Sequence, residues 1–416
     1  MINFIKKSKT SFFDNSFYLY LSHFGDYILT LFLLPFISRK IGATEFGIIG
    51  LTQSFGLLIV LFIEFGSSLM ATREVARIKN DHFVLKKFVE ELTLSKIYLT
   101  PIAFVAFLLS IIYVPIFIEN PYKVVIIFLG AIFQGISPVW YFQGTEKMKI
   151  IAFSKLVFRL FGFILIIFFV KSPSDSWVVL ASFSLGSALI CLYLFREIIK
   201  KHGQLSLYRK NQSKLIFSKS IPSFLVTIIP MIYQNISVLL LSLFVNPIQL
   251  GLFYGASRIY RAFNTLYSPV SQAFFPIIAS AQNNDKTESR LLLRNYLLTI
   301  SIIGLLFFIT NYFFAEKIIL IVLGNEFSGS KNLLKIFSVV LPLTAISNAL
   351  GRQWLMVINK DSFYSFVQMF SSLIALMGFL FLVNAYGIKA YPLSLIVYEI
   401  SSIFIILIFL VSNESS

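Results

Sequence analysis

The chain of 416 residues has few of the residues that build disulfides, metal centres or nucleotide-hydrolysing sites. Its one cysteine, Cys191, excludes an intramolecular disulfide and a cysteine-based metal site. The histidines, His23, His82 and His202, are too scattered along the sequence to form a ligand motif. The P-loop pattern G-x-x-x-x-G-K-S/T is missing, which excludes nucleotide hydrolysis through that motif. We therefore expect no metal and no other cofactor.

Charged residues are also scarce, at 13% of the chain, whereas hydrophobic residues make up 57% and the mean hydropathy is +0.83. Many apolar runs approach the roughly 20 residues that a helix needs to cross a hydrocarbon core of ~30 Å. A transmembrane barrel has shorter, alternating segments, so the sequence predicts an all-α integral membrane protein. The first run follows Lys6, Lys7 and Lys9 but is long and lacks a cleavage site, which favours a retained span over a signal peptide. We predict about 12 spans, at residues 15–38, 44–70, 93–115, 121–143, 149–170, 176–195, 216–242, 251–281, 290–314, 332–357, 362–384 and 389–411.

The positive charge of the chain is distributed as in a membrane protein. The net charge of +16 would by itself also suit nucleic-acid binding. With both termini cytoplasmic, however, 21 of the 35 lysines and arginines fall on the cytoplasmic side and 8 on the opposite side. Such an asymmetry sets the orientation of a multi-pass protein. We predict a multi-pass membrane protein that contacts membrane lipids and no nucleic acid, with both termini in the cytoplasm.

The spans fall into two lobes of six helices. A cytoplasmic linker, 196–215, separates a predicted N-terminal lobe, 1–195, from a C-terminal lobe, 216–416. A weak internal repeat supports this division, because the segment 38–47 aligns with 242–251 and each ends in a glycine that opens the second span of its half. The outer loops are too short to hold a folded domain, so binding must occur among the helices.

Two arginines lie within one predicted span. Arg258 and Arg261 are spaced i, i+3 and share a helix face inside the segment 251–281. A charged side chain near the bilayer centre costs about 2.5–3.5 kcal/mol, so two cations are not expected to face lipid. The span is otherwise polar, and Pro269 and Pro276 are expected to break its helix. We interpret it as the wall of a water-filled cavity that holds an anion. The alternative is a structural ion pair with an acid on a neighbouring helix.

Three further cations are candidates for the same cavity. Lys155 and Arg159 are spaced i, i+4 in the fifth span, and Arg352 lies in the tenth. Because Lys155 begins only one turn past a cytoplasmic loop, this pair could instead extend to the lipid headgroups.

Three acids lie within apolar runs: Asp26, Glu64 and Glu399. A buried carboxylate without a partner tends to bind a proton, so such groups are candidates for ion coupling in a transporter. The alternative is that each acid pairs with a buried cation as part of the packing. For Asp26 and Glu64 both interpretations stay open, and for Glu399 we favour pairing.

Several short motifs resemble a known family. The segments 41–47 (IGATEFG), 65–66 (FG) with 72–76 (TREVA), and 138–147 (PVWYFQGTEK) are together similar to the polysaccharide-transporter family, the Wzx-type O-antigen repeat-unit flippases. These belong to the multidrug/oligosaccharidyl-lipid/polysaccharide exporters. The stretch 140–146 is the most specific, and the sharp matches lie in the first half of the chain. The resemblance covers the whole chain in length, span count and internal repeat.

The resemblance implies a MATE-like pair of six-helix lobes around a central cationic cavity. The implied substrate is an undecaprenyl-pyrophosphate-linked oligosaccharide, flipped from the cytoplasmic to the periplasmic leaflet by alternating access. The arginines fit this independently, because a pyrophosphate binds to fixed cations with forked donors. The implied partners are H⁺ or Na⁺ as a coupling ion, a polysaccharide polymerase and a chain-length regulator.

Two alternatives remain within the same superfamily, and one lies outside it. A flippase for another polyprenyl-linked glycan, such as lipid II or a teichoic acid precursor, would have a similar cavity. A cation-coupled multidrug exporter should have an acidic cavity, whereas here the spans hold more cations than acids. A membrane enzyme such as the repeat-unit polymerase should have a sizeable periplasmic loop, which this sequence does not have.

Overall fold

The computed structural model describes residues 2–206, 216, 220–221, 231 and 233–414, with no description of the side chains before Phe32 or at 283–284 and 413–414. Over these residues the secondary structure is helical and contains no strand. The chain divides into two compact units. The first comprises Met1–Ile41 and Thr52–Ile228, and the second comprises Gly42–Leu51 and Ile229–Ser416. The fold is therefore all-α, as the apolar runs predict.

The first unit is built from long apolar helices joined by short turns. Its helices are α1 (Ile2–Glu64, apart from the ten residues that belong to the second unit), α2 (Ser67–Ile78), α3 (His82–Tyr113), α4 (Pro115–Glu119), α5 (Pro121–Ile136), α6 (Val139–Gly144), α7 (Met148–Phe169) and α8 (Ser176–His202). Asp81 caps α3 by accepting hydrogen bonds from the N–H groups of Phe83 and Val84, both at 3.0 Å.

The first two predicted spans are two helical stretches of α1 that meet at a kink at Gly42. Gly42 has φ 75° and ψ 175°, a backbone conformation that side chains with a Cβ rarely adopt. The chain therefore bends at this glycine, and helix continues on both sides of it with no loop between. The predicted boundary between 15–38 and 44–70 is a kink in α1, and α1 ends at Glu64, earlier than predicted.

The sequence motifs of the first half pack against one another. Thr72 of α2 donates to the side-chain oxygen of Gln143 in α6 at 3.2 Å. Lys79, just after α2, forms an ion pair with Glu146 at 2.7 Å. Trp140 is 1% exposed and lies within the core of the unit. These residues join the ends of α2 and α6, so the motif that is most specific for the family is a packing element.

The second unit repeats this construction. It contains a helical segment at 233–241 and the helices α9 (Pro247–Thr265), α10 (Tyr267–Asn284), α11 (Lys286–Phe313), α12 (Ala315–Val322), α13 (Lys331–Asn348), α14 (Asp361–Tyr386) and α15 (Ala390–Glu414). A 3₁₀ turn, Asn325–Ser330, precedes α13, and a π-helix, Ala349–Leu355, follows it. The inserted residue of a π-helix often marks a functional site.

The two glycines that the internal repeat aligns are in contact within the second unit. A Cβ on Gly47 would lie 2.4 Å from the carbonyl oxygen of Pro247 and 2.5 Å from the backbone N of Gly251. A Cβ on Gly251 would lie 1.8 Å from the carbonyl oxygen of Ala43. Only glycine allows these two backbones to approach so closely, which explains why both aligned segments end in it.

The structure also corrects the list of predicted spans. Within the described residues, 8 helical segments are long and apolar enough to cross a membrane, one of which, Asp361–Ser412, contains both α14 and α15. The predicted span 251–281 is not among them, because it is polar and breaks at Leu266 between α9 and α10. We expected Pro269 and Pro276 to break it, but both lie inside α10. Pro269 is tolerated there because it occupies the first turn.

Candidate functional site: the arginine helix and its neighbours

Helix α9 carries the two arginines that the sequence singles out. It begins at a capping box, in which Asn246 Oδ1 accepts from the N–H of Gln249 at 2.8 Å and Gln249 Oε1 accepts from the N–H of Asn246 at 3.2 Å. Pro247 follows at the first helical position, where its missing N–H has no cost. The buried residues of α9 are Leu250, Gly251, Phe253, Tyr254, Gly255, Ala256, Ser257, Ile259 and Tyr260. Arg258 and Arg261 are half-buried.

Arg258 is held by the tyrosine one turn before it. Its Nη2 donates to the hydroxyl of Tyr254 at 2.6 Å, and its Cζ lies 4.9 Å from the centre of the same ring. Tyr254 is only 3% exposed and packs against Phe46, with ring centres 5.5 Å apart. The orientation of the guanidinium is thus fixed by a buried ring. A cation that is already ordered loses less entropy when it binds an anion.

Arg261 lies one helical turn further on. Its backbone carbonyl accepts from Thr265 Oγ1 at 2.5 Å, and its guanidinium acts electrostatically on the buried Tyr391 of α15. In the part of the chain that the structure describes, no carboxylate forms an ion pair with Arg261. The alternative of a structural ion pair therefore has no support at this residue among its described neighbours.

Arg352 lies in the π-helix of the same unit and is exposed. It acts electrostatically on Tyr296 of α11 and Tyr364 of α14. The adjacent Gln353 is buried and donates from Nε2 to the carbonyl oxygen of Ser271 in α10 at 2.5 Å. This bond attaches the π-helix to α10.

Lys155 and Arg159 lie on α7 of the first unit, and both are half-buried. The predicted cationic set is thus divided, with Arg258, Arg261 and Arg352 in the second unit. That the five cations line one cavity stays a prediction.

Of the ion-coupling candidates, Asp26 lies outside the residues whose side chains the structure describes. Glu64 is the last residue of α1, is half-buried, and acts electrostatically on Lys96. Lys96 is 1% exposed and donates from Nζ to the carbonyl oxygen of Gly135 at 2.9 Å. Lys96 is thus a buried cation that is not among the candidates from the sequence. The signal in the sequence is its position inside the apolar stretch of α3.

The structure corrects our interpretation of Glu399. We expected this acid to pair with a buried cation, but its partners are hydroxyl groups. Thr344 Oγ1 donates to Glu399 Oε1 at 2.7 Å, and the Ser347 hydroxyl is a second hydrogen-bonding neighbour. Within the described residues, Glu399 forms no ion pair with a lysine or arginine.

The fold also brings together two histidines that are far apart in sequence. The rings of His82 and His202 lie 5.5 Å apart, and His202 Nε2 is 2.9 Å from the hydroxyl of Tyr141. Among the described residues, no three His, Cys, Asp or Glu side chains come close enough to hold a metal ion. The pair joins the start of α3 to the end of α8.

Comparisons with known sequences give a matching family and two relatives that align over most of the chain. The family described as "Polysaccharide biosynthesis protein" matches residues 12–282. A protein of Escherichia coli (strain K12), provisionally named an O-antigen transporter, is 27% identical over 376 residues, which cover 89% of each chain. A protein of Shigella dysenteriae with the same provisional name is 25% identical over 391 residues, covering 93% of this chain and 96% of the relative.

Solved structures of transporters share the fold. Lipid II flippase MurJ in an inward closed conformation matches with a TM-score of 0.70 and 15% identity, covering 93% of this chain and 87% of that chain. An inward-facing multidrug resistance transporter of the MATE family, in the MOP superfamily, matches with a TM-score of 0.66 and 14% identity, covering 94% and 93%. At these identities the likeness shows a shared fold and nothing further.

Proposed function

Because the chain belongs to the polysaccharide biosynthesis protein family, whose matched relatives carry the name of O-antigen transporters, we propose that it flips an undecaprenyl-pyrophosphate-linked oligosaccharide. The cargo is the O-antigen repeat unit, and it moves from the cytoplasmic to the periplasmic leaflet of the inner membrane. Both termini lie in the cytoplasm, as the loop charges predict.

The observation that carries this proposal is the pair of arginines on α9. Arg258 is oriented by Tyr254, and Arg261 follows one turn later on a helix too polar to face lipid. A pyrophosphate is a compact anion with several acceptor oxygens, and guanidinium groups bind such anions through paired donors. Two guanidinium groups on one helix, of which that of Arg258 is oriented by Tyr254, are therefore suited to the charged head of the substrate.

Flipping requires no bond chemistry. The barrier is the passage of sugars and a charged head through hydrocarbon, and a polar groove that alternates its access removes it. An inside-negative potential assists outward movement of an anion by about 2.3 kcal/mol per charge per 100 mV. A coupling ion, H⁺ or Na⁺, adds to this driving force. A polysaccharide polymerase and a chain-length regulator receive the flipped unit.

The test compares Arg258→Ala, Arg261→Ala and Arg258→Lys in a strain that lacks its own flippase. Losing a hydrogen bond to a charged group costs about 1.5–3 kcal/mol, so each Ala variant should lower flipping about 10- to 100-fold at unchanged protein abundance. Lys should restore part of the activity, because it keeps the charge and loses the fork. Arg77→Ala is the matched control, since Arg77 is exposed and pairs with Glu74 at 3.8 Å.

Flipping is measured as surface glycan per molecule of protein. Full complementation by both Ala variants at native expression would show that the arginines do not hold the substrate. If the Ala variants instead disappear from the membrane while Arg77→Ala does not, the arginines are structural.

A further inference from the structure

We propose that Glu399 is a proton-binding site of the second unit, and that its charge is sensed by the helix that carries Arg258 and Arg261. Glu399 is 6% exposed and faces α13 from α15. Two polar pairs meet at this interface: Thr344 contacts Glu399 at 2.7 Å, and one turn along, Ser347 Oγ donates to Ser402 Oγ at 3.2 Å. The inference rests on the proposed function only for the identity of the anion on α9.

Among the residues that the structure describes, no lysine or arginine forms an ion pair with Glu399. The titratable groups that face it from the neighbouring elements are phenols: Tyr233 on 233–241, Tyr260 on α9, Tyr267 on α10, Tyr364 on α14 and Tyr398 on α15. Phenols are neutral near pH 7. The nearest cations described act on these tyrosines: Arg352 on Tyr364, and Arg261 on Tyr391.

An ionised carboxylate buried among neutral groups is costly, whereas a neutral carboxyl group is not. The hydroxyl groups of Thr344 and Ser347 can serve either form, because each can donate or accept a hydrogen bond. Ser347 Oγ donates to Ser402 Oγ at 3.2 Å, and a hydroxyl that donates its proton elsewhere keeps lone pairs that can accept a hydrogen bond from a protonated carboxyl group. The site thus supplies partners for a proton on Glu399 without a counter-ion.

Thr344 also neighbours α9, the helix that carries Arg258 and Arg261. Thr344 is the hydrogen-bonding neighbour of Tyr260 as well as of Glu399, and Tyr260 immediately precedes Arg261. A proton on Glu399 removes a negative charge close to this helix. Anion binding on α9 should therefore strengthen as Glu399 is protonated, and by reciprocity a bound anion should favour protonation.

The first experiment detects the proton directly. The purified protein in lipid nanodiscs is titrated with acid and base, and infrared difference spectra of wild type minus Glu399→Gln report the carboxylic acid C=O band. We expect a band that disappears as the pH is raised and that Glu399→Gln lacks. A band that is absent or unchanged throughout overturns the proposal. Loss of the band on replacing K⁺ by Na⁺ at fixed pH overturns it in favour of a sodium site.

The second experiment measures binding of inorganic pyrophosphate at pH 6 and pH 8. Wild type should bind pyrophosphate more weakly at pH 8 than at pH 6. The decrease should exceed that of Glu399→Gln by about fivefold or more. The Glu399→Gln variant corrects for titration of pyrophosphate itself. Tyr260→Phe removes a hydroxyl group and no charge, so it should keep both the infrared band and the pH-dependent difference in binding. An equal pH dependence in wild type and Glu399→Gln overturns the link to α9.

These readouts separate the two proposals. If pyrophosphate binds equally well to wild type and to the double variant Arg258→Ala, Arg261→Ala, the anion site of the proposed function fails, and the infrared titration still decides whether Glu399 binds a proton. Glu399→Gln keeps the size and hydrogen bonding of the side chain. The thermal unfolding of Glu399→Gln, compared with that of Thr344→Ser, shows whether Glu399→Gln folds.

Discussion

The contact between the two repeated glycines predicts a large steric cost for a single methyl group. In Gly251→Ala the new Cβ would lie 1.8 Å from the carbonyl oxygen of Ala43, whereas real Cβ contacts essentially never fall below 3.0 Å. The backbone at Ala43 or at α9 must therefore retreat by about 1.2 Å, the difference between these two distances. Because the obstructing atom belongs to the backbone, no side-chain rotation relieves the clash. Overpacking of this kind costs about 1–3 kcal/mol, and we expect the upper part of that range.

The matched control is Gly378→Ala on α14, where an added Cβ meets nothing within 4 Å. Both variants gain the same helix propensity from Gly to Ala, so their difference in stability reports the clash alone. Thermal unfolding in detergent should show Gly251→Ala several degrees below Gly378→Ala, at about 2–4 °C per kcal/mol for a unit of this size. Equal unfolding temperatures would refute the close contact between the two backbones.

Two further predictions concern the buried cation and the topology. Lys96→Ala removes the hydrogen bond to Gly135 and leaves a cavity, so it should lower the stability of the first unit by roughly 3 kcal/mol, while the exposed Lys389→Ala leaves the unfolding temperature unchanged. An unchanged unfolding temperature in Lys96→Ala would mean that the buried ammonium group does not stabilise the first unit. In a Cys191→Ala background, Arg209→Cys and Ser412→Cys should react with an impermeant maleimide only after the inner membrane is opened. Labelling of either from the periplasm would contradict the predicted orientation.

Composition was sufficient to predict the helices. A helix in a membrane makes its backbone hydrogen bonds internally, so it can be recognised in the sequence as one continuous apolar run. The predicted span 149–170 is α7 (Met148–Phe169), and 362–384 is α14 (Asp361–Tyr386). The errors occur where a residue's position in its helix outweighs the general preference of its residue type. The helix α1 ends at Glu64, whereas the prediction extended the second span to residue 70, and Pro269 sits in a first turn, where proline is harmless.

The sequence predicts only those features of the candidate site that lie within a single helix. The i, i+3 spacing put Arg258 and Arg261 on one face of α9, but the order of Arg258 depends on how Phe46 packs on Tyr254. Phe46 is far from both in sequence, and no periodicity reports such a contact. For the same reason, His82 and His202 were judged too scattered to meet, although α3 and α8 bring their rings together.

Glu399 shows how the chemistry of a buried charge depends on the facing helix. From sequence, an acid in an apolar run that also contains serines has two ways to be satisfied, a cation or a proton, and the cation is the commoner solution. The choice is made by α13, which presents hydroxyl groups at Thr344 and Ser347 where a lysine or arginine would have formed an ion pair. A hydroxyl cannot neutralise a carboxylate, but it can accept a hydrogen bond from the protonated carboxyl group. A serine and a threonine on one helix thus convert a structural acid on another into a group whose charge follows the pH.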